Sequence, residues 1–357
     1  MSPRTFDSNN LANLNAKPDR PWTKFEPTQI IWGLAPFIAP VLFAAAIVLA
    51  TPMKGRVGFF IPWLFISIAV IVVWPIFKGG KNYRGELFIQ SAIILSSFLF
   101  FGSIIWLIAS VFRPGFKNIH FNLFIEDGKS VTVDTPLNQG GLLHAILGTI
   151  IIVGIATLIA VPFGVLAALY ITEVRGRLVP FTRFFIQAMS GVPSIIAGLF
   201  IYAALIITQV VAFSGISGAL ALSILMLPTV ARTAEEVLRL VPDDLRAAAL
   251  SLGGTQTRTI FQVVLPAAKS GLITAVILGV ARVAGETAPL LLTAFGGYTT
   301  NLNPFHGPMA SLPWYVFSQM TIGTDNDVAR AWVGALTLLL LVSVFFALAR
   351  LLGRKRS

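Results

Sequence analysis

The chain has 357 residues, of which 56% are hydrophobic and only 11% charged, and its formal net charge is +11. Soluble domains carry roughly 25% charged residues, so this composition excludes an ordinary soluble protein and indicates a membrane protein surrounded by lipid. Positive charge on the cytoplasmic side of a membrane explains the net charge without a nucleic-acid partner, and the absence of cysteine excludes disulfides and thiolate metal sites.

The first thirty residues are polar and lack the apolar core and cleavage site of a signal peptide, so we predict a cytoplasmic tail over residues 1–30. About twenty apolar residues cross a bilayer as a helix, and eight runs reach or approach that length. The predicted spans cover residues 31–50, 57–77, 88–112, 143–171, 184–210, 216–231, 271–294 and 331–352. The predicted fold class is therefore an all-α polytopic membrane protein with about eight transmembrane helices.

The loops between these spans define the domain organisation. Three predicted transmembrane segments fall within residues 31–112, and an extracellular or periplasmic loop follows over 113–142, with a short strand predicted at 130–133. The other five segments form a core over 143–353. A second outer loop, 295–327, is rich in aromatic residues, which suit either an interfacial belt or a landing surface for an extracellular solute-binding protein.

The distribution of positive charge predicts the orientation. With the N-terminal tail in the cytoplasm, 19 of the 26 lysines and arginines lie inside and six outside, with Arg282 in a span. Positive residues collect in cytoplasmic loops, so both termini and the connection over 232–270 are predicted to be cytoplasmic. Lys54 and Arg56 fall outside in this topology, so the first hairpin could instead be peripheral or re-entrant.

Arg282 and Glu286 are the only formal charges deep inside a predicted span. Four residues apart on one helix, they share a face and can pair. An arginine at mid-membrane costs roughly 2.5–3.5 kcal/mol on insertion scales, so it should face protein or water. The two side chains could form a structural ion pair, or Arg282 could be a cationic station on an anion path, with Thr287 beside it. The planar guanidinium suits an oxyanion such as phosphate.

A second constellation, Ser190-Gly191-Val192-Pro193-Ser194, lies inside the predicted span 184–210. Pro193 removes an amide donor and Gly191 loosens the preceding turn, so we predict a helix break. Such a break could direct the hydroxyls of Ser190 and Ser194 towards a central cavity, as discontinuous transporter helices do. It could also be a proline kink required only for packing.

The stretch after Pro242 predicts a short amphipathic helix. Asp243 and Asp244 stand near its positive end, and Gly253-Gly254 supplies a stop. A small apolar face at helical spacing suits docking onto another protein, or an interfacial helix lying on lipid. The residues of this face are Leu245, Ala248, Ala249 and Leu252.

The offsets in this stretch resemble the EAA loop of ABC-importer permeases. Ala248-Ala249 is followed by Gly253 and, further on, by Leu265-Pro266. In that family the loop is the cytoplasmic coupling helix, which sits in a cleft of the ATP-hydrolysing subunit. The resemblance implies a type I ABC-importer permease core. The leading glutamate of the family is Ala247 here, so its charge is missing or is supplied by an aspartate nearby.

Two further segments, GVPSIIAGLF (191–200) and ARVAGETAPLLLTA (281–294), resemble the A-type permease subunits of phosphate-specific importers in the MetI-like family. The resemblance covers roughly residues 143–352. It implies that Arg282 and Glu286 belong to the translocation path. It also implies a sister permease subunit (PstC-like), an ATPase dimer (PstB-like) and an extracellular phosphate-binding protein (PstS-like). The family usually has one span before the core, where three are predicted here.

The sequence offers no chemistry for a catalytic or nucleotide site. A phosphate-cradling P-loop is missing, since Leu123 stands where the first glycine before Gly128-Lys129-Ser130 belongs. The histidines are scattered, so neither a metal site nor a catalytic triad is predicted. We therefore expect ATP and magnesium on the partner ATPase and no cofactor on this chain. The alternatives are a permease for another oxyanion or a phosphate ester, and a stand-alone secondary transporter.

Overall fold

The computed structural model describes residues 27–50, 55–78, 84–132, 134–174 and 176–353. The chain divides into two compact units, residues 1–107 and 108–357. Most of the predicted tail over 1–30 lies outside the described residues.

The first unit contains long apolar helices at all three predicted N-terminal spans. The helices are α1 (Pro27–Ala50), α2 (Gly55–Lys78) and α3 (Arg84–Lys117), the last of which continues into the second unit. The ring of Trp63 lies 5.5 Å from that of Phe60 and 5.6 Å from that of Phe98, so aromatic packing joins α2 to α3.

The second unit is also helical. Its α-helices are α4 (Leu143–Leu169), α5 (Val179–Ser190), α6 (Ser194–Ile201), α7 (Gly215–Arg239), α8 (Asp243–Ser251), α9 (Gln256–Thr259), α10 (Leu265–Ala284), α11 (Ala288–Thr293), α12 (Leu312–Ile322) and α13 (Asp325–Gly353). Short π-helical turns extend α4 to Val174 and α6 to Ile206, and another joins α9 to α10. Among the described residues there is no β-strand, only an isolated bridge between Phe295 and Met309. The all-α prediction is confirmed.

Among the described residues, five helices are long and apolar enough to cross a membrane. The bent pair α5–α6 makes six if it is one span. In addition, α1 and α2 have 24 residues each and coincide with the first two predicted spans. The exact number of eight spans stays a prediction, because α5–α6 can be a broken span or a re-entrant loop.

The core of the second unit is the contact between α4 and α7. The predicted span 216–231 is the N-terminal part of a 25-residue helix, α7, which is the most buried of the membrane-length helices described. Small residues allow the close approach: Ala156 and Ala160 are fully buried, and a Cβ at Gly164 would stand 3.0 Å from Val230. Tight packing of this kind makes the pair a rigid centre of the second unit, against which α5, α6, α10 and α11 pack.

The two outer loops are more structured than the sequence suggests. The loop 295–327 contains α12, and its Tyr315 is buried rather than displayed at an interface. The strand predicted over 130–133 is wrong where the structure describes it, because Ser130 lies in a turn. The amides of Lys129 and Thr300 donate to Asp127, tying the two loops together; burial raises the pKa of Asp127, but these bonds leave it below its usual value.

Candidate transport site and coupling surface

The helix that carries Arg282 ends sooner than predicted. The span 271–294 is not continuous, because α10 ends at Ala284 and α11 begins at Ala288. Arg282 is therefore in the last turn of α10, whereas Glu286 lies within the break that follows. The prediction that they share a helix face and pair is wrong: within the described residues neither forms an ion pair with the other. An ion pair between Arg282 and Glu286 therefore does not explain why these two charges occur in an apolar segment.

Arg282 has one hydrogen-bond partner in the described part of the chain. Its Nη1 donates to Thr229 Oγ1 on α7 at 2.9 Å, and the side chain is otherwise exposed. A guanidinium offers five N–H donors, so most of them remain free for another group. The Glu286 carboxylate is half-buried. The geometry presents a cation with unused donors at the end of an apolar helix, which is what an anion would need.

The other predicted break lies where the sequence placed it. Helix α5 ends at Ser190, α6 begins at Ser194, and the axes of the two halves differ by 104°. Pro193 is the residue that precedes α6, and Gly191 caps α5. The Ser190 hydroxyl donates to the carbonyl of Ile186 within its own helix, at 2.8 Å.

The structure brings the two breaks together. Helix α6 packs on α11 at Gly198, where an added Cβ would lie 2.6 Å from Cα of Pro289 and 2.9 Å from its carbonyl oxygen. Helix α6 follows the first break directly, and α11 follows the second. The contact therefore packs together the helices that follow the two breaks. Ser190 and Ser194 flank the first break, whereas Arg282 precedes the second and Glu286 lies within it.

Replacing Gly198 by alanine tests how much this contact matters. Because its Cβ has no room, we expect the assembled protein to unfold with a free energy lower by about 1–3 kcal/mol, the usual cost of overpacking. The control is Gly154→Ala on α4, where nothing lies within 4 Å of the new Cβ. There the helix propensity of alanine should leave stability equal or slightly higher. Thermal unfolding in detergent is the measurement; equal midpoints for the two variants would contradict the close contact.

A groove of about 890 Å³ opens beside the second break. Gly285 and Thr287 line it, together with apolar side chains of α12 and α13 such as Phe317 and Val342. Arg282 and Glu286 are not among its lining residues. An apolar groove of this kind suits lipid chains or another helix rather than an anion. Thr287, predicted on the substrate path, thus faces a different space from Arg282.

The short helix predicted after Pro242 is present as α8; its coupling role stays a prediction. Its ends follow the sequence: Asp243 and Asp244 occupy the first turn, and Gly253 stands just past the end with φ +80°. The amide of Gly254 donates to the carbonyl of Ala249 and that of Gly253 to Leu250, which together form a Schellman motif. The helix stop therefore has a defined hydrogen-bond geometry.

Helix α8 presents its apolar residues outward. Leu252 is 90% exposed, Leu250 50% and Leu245 44%. Ala248 is exposed and Ala249 is half-buried. Exposed leucines on a short cytoplasmic helix suit docking onto another protein or contact with the lipid surface. The chain then re-enters the membrane helix through Leu265, which is half-buried, with Pro266 in the first turn of α10.

Sequence reasoning missed the residues that hold α8 in place. From sequence alone, Glu173, Arg175 and Arg183 are interpreted as ordinary interfacial charges near the cytoplasmic face. The structure pairs Glu173 with Arg246, at 2.8 Å, and Arg183 with Glu235 instead, at 2.9 Å. Arg175 lies outside the described residues. These partners are 73 and 52 residues apart, so no helical spacing could reveal them.

Comparison with known proteins decides the family. The family of binding-protein-dependent transport system inner membrane components matches residues 160–357. This chain belongs to that family. It is therefore a transport permease and a multi-pass protein of the inner membrane, in which ATP hydrolysis is the task of a separate subunit.

Three relatives show how far the similarity of this permease extends. The phosphate transport system permease PstA 1 of Mycobacterium tuberculosis (strain H37Rv) is 42% identical over 205 residues, 57% of this chain and 67% of the relative. PstA of Pasteurella multocida is 37% identical over 263 residues, 72% of this chain and 91% of the relative. PstA of Mycobacterium leprae is 37% identical over 296 residues, 81% and 95% respectively. The resemblance stated from sequence is confirmed.

Among solved structures, the inward-facing MetNI methionine ABC transporter is similar to this permease at 19% identity and a TM-score of 0.48. The alignment covers 60% of this chain and 93% of that one.

Proposed function

We propose that this chain is the transmembrane permease subunit of an ATP-driven phosphate importer. The observation that carries the proposal is the similarity to PstA permeases over almost their whole length, 91% and 95% in two cases. Arg282 supports it independently, because a guanidinium with free donors recognises an oxyanion by paired hydrogen bonds.

The position of Arg282 along α10 supports a level well inside the bilayer. It follows Lys269 by thirteen residues, which corresponds to about 20 Å along the helix axis. The hydrocarbon core is about 30 Å thick, so Lys269 can stay at the cytoplasmic surface while Arg282 lies beyond the midplane. An anion passing this level would exchange water for guanidinium donors. Thr229 would orient the guanidinium, and Ser190, Ser194 and Glu286 would stand near the same path.

The partners follow from the coupling surface. The exposed leucines of α8 would dock on a PstB-like ATPase dimer, while a PstC-like permease subunit would complete the path and a PstS-like binding protein would deliver phosphate outside. In this arrangement α8 and both chain termini are cytoplasmic, as the charge distribution predicts. Binding of ATP on the partner moves α8, and the helices rock between outward-open and inward-open states.

Uptake by the reconstituted complex tests the proposal. Proteoliposomes containing all subunits are loaded with ATP, and entry of radiolabelled phosphate is compared with that of sulfate and of glycerol phosphate. We expect ATP-dependent uptake of phosphate at a rate at least ten times that of either competitor. Faster entry of sulfate or glycerol phosphate would show a different substrate. Uptake by the chain alone, driven by an ion gradient, would support a stand-alone secondary transporter. Such a transporter needs no ATPase and would not require an exposed apolar face on α8.

We also expect the purified chain alone neither to bind nor to hydrolyse ATP, since its sequence has no phosphate-cradling loop. Equilibrium binding of a fluorescent ATP analogue with magnesium is the measurement, and the assembled complex is the positive control. Nucleotide affinity in a preparation free of the ATPase subunit would contradict the absence of a nucleotide site.

A further inference from the structure

The coupling helix α8 is fastened to the membrane helices by one arginine on its inner side. Arg246 donates to both carboxylate oxygens of Glu173, from Nη2 at 2.8 Å and from Nε at 3.1 Å. Its Nη2 also donates to the carbonyl of Leu238 at 2.9 Å, and its Nη1 to that of Val241. One side chain thus bridges α8, the π-helical end of α4 and the end of α7.

A second contact reaches the same residue from the other end of the coupling loop. Nε2 of Gln256, on α9, donates to the backbone carbonyl of Glu173 at 2.7 Å. Arg246 lies within α8, and Gln256 lies beyond the glycine stop of that helix. The two residues therefore meet at the cytoplasmic end of α4, and they use different atoms of Glu173.

Burial separates this ion pair from ordinary surface pairs. The side chains of Arg246 and Glu173 are only 16% and 7% exposed, whereas pairs between exposed side chains contribute little. The hydrogen bond to Glu173, with the nearby carboxylates, also raises the pKa of Arg246 above its usual value. A bidentate, shielded arginine–carboxylate contact fixes orientation as well as distance.

We propose that Arg246 and Glu173 are positioning residues that transmit the displacement of the coupling helix to α4 and α7, the rigid centre of the permease. The proposal rests on the proposed function and identifies the contact through which the ATPase acts on this subunit. The exposed leucines of α8 would contact the ATPase, while Arg246 on the inner side of the helix contacts α4 and α7.

From α7 the connection continues to the broken helix. Glu235 on α7 accepts from Arg183 of α5 at 2.9 Å and also from Arg239 of its own helix. Helix α5 is the first half of the pair that breaks at Gly191–Pro193. A movement of α8 can therefore reach the break at Gly191–Pro193 through a short series of ion pairs and packed helices.

Three variants of the full complex test the proposal: Arg246→Ala, Glu173→Gln and, as matched control, Arg258→Ala. Arg258 is an exposed arginine of α9 whose Nε donates only to Gln262, so its loss leaves the Glu173 contact intact. The measurements are the amount of ATPase subunit that co-purifies and the ratio of ATP hydrolysis with and without phosphate-loaded binding protein. We expect Arg246→Ala and Glu173→Gln to assemble and to lower that ratio about 10-fold, with the control unchanged.

A covalent link provides the rescue. The chain has no cysteine, so Arg246→Cys with Glu173→Cys introduces the only two thiols of this subunit. In a complex whose other subunits lack accessible cysteines, we expect a low ratio when the thiols are free. A bifunctional thiosulfonate reagent should restore stimulation, and a reductant should remove it again. A role in folding alone would change the amount of complex, not the ratio within assembled complexes.

The outcomes are distinguishable. A full ratio in Arg246→Ala and Glu173→Gln, or no response to the link, would overturn the positioning role. If Arg246→Ala fails to assemble, the other two variants decide whether the contact transmits motion. Glu173→Gln keeps a side chain of similar size, and the linked pair keeps a bridge between the two positions. If the wild-type complex itself is not stimulated by phosphate-loaded binding protein, the proposed function fails and not the contact.

Discussion

Phosphate uptake by a complex carrying Arg282→Ala is expected to fall at least 100-fold per assembled complex. The guanidinium has one partner within the described residues, Thr229, and its other donors are free. Each hydrogen bond to a charged group is worth about 1.5–3 kcal/mol, so loss of a paired contact to an oxyanion removes roughly 3 kcal/mol or more. Since Arg282 forms no ion pair with the described residues, its loss breaks none there, and assembly should be retained.

Arg282→Lys separates geometry from charge. An ammonium keeps the positive charge but cannot offer two parallel N–H donors in one plane. We therefore expect uptake to stay at least 10-fold below wild type. The matched control is Thr229→Val, which keeps the arginine and removes the one hydrogen bond that the structure shows; a smaller, several-fold loss is expected. Near-normal uptake in Arg282→Lys, measured per assembled complex, would contradict paired recognition.

Glu286 gives a further check on the path. Its carboxylate forms no ion pair within the described part of the chain, so Glu286→Gln should leave assembly unchanged. Combining Arg282→Ala with Glu286→Ala removes both charges. If the two residues served only to neutralise one another, the double variant would recover uptake. Because Glu286 lies in the break after α10 and forms no ion pair with Arg282 within the described residues, we expect the double variant to transport no better than Arg282→Ala.

The two helix breaks show what the sequence could and could not predict. Pro193 marks the first break directly, because proline lacks the amide donor that a helix interior requires. The second break has only indirect signals: Gly285 at the end of α10 and Pro289 in the first turn of α11. Glycine after a helix and proline at the start of the next would have indicated it. The apolar run over 271–294 predicts one continuous span, because hydropathy reports how well side chains suit lipid and says nothing about where backbone hydrogen bonding is interrupted.

Helix α12 was missed for a different reason. Its eleven residues are too few to cross a bilayer, and they lie in a stretch rich in glycine, asparagine and proline. The cap was nevertheless present: Ser311 accepts a hydrogen bond from the amide of Trp314, and Pro313 lies in the first turn. Tyr315 is buried because α12 folds back onto the core, and no local pattern predicts such long-range packing. The same holds for the partners of Glu173 and Arg246.

Leu252→Glu is expected to separate the permease from its ATPase without affecting the permease itself. The side chain is 90% exposed, so its replacement costs no packing within the chain. Docking of a leucine contributes about 1.5–3 kcal/mol, and a carboxylate in the same pocket adds a cost of desolvation. We therefore expect binding of the ATPase subunit to weaken at least 10-fold. Stimulation of ATP hydrolysis by phosphate-loaded binding protein should be lost in parallel.

Gly253→Pro attacks the same surface through the backbone. Gly253 has φ +80° and donates its amide to Leu250, whereas proline requires φ near −65° and has no amide hydrogen. The Schellman stop of α8 is then lost, and the position of Leu252 with it. Leu178→Glu is the matched control: Leu178 is 62% exposed and precedes α5, outside α8. It should leave ATPase binding and stimulation unchanged. Full stimulation in both Leu252→Glu and Gly253→Pro would show that the ATPase does not dock on α8.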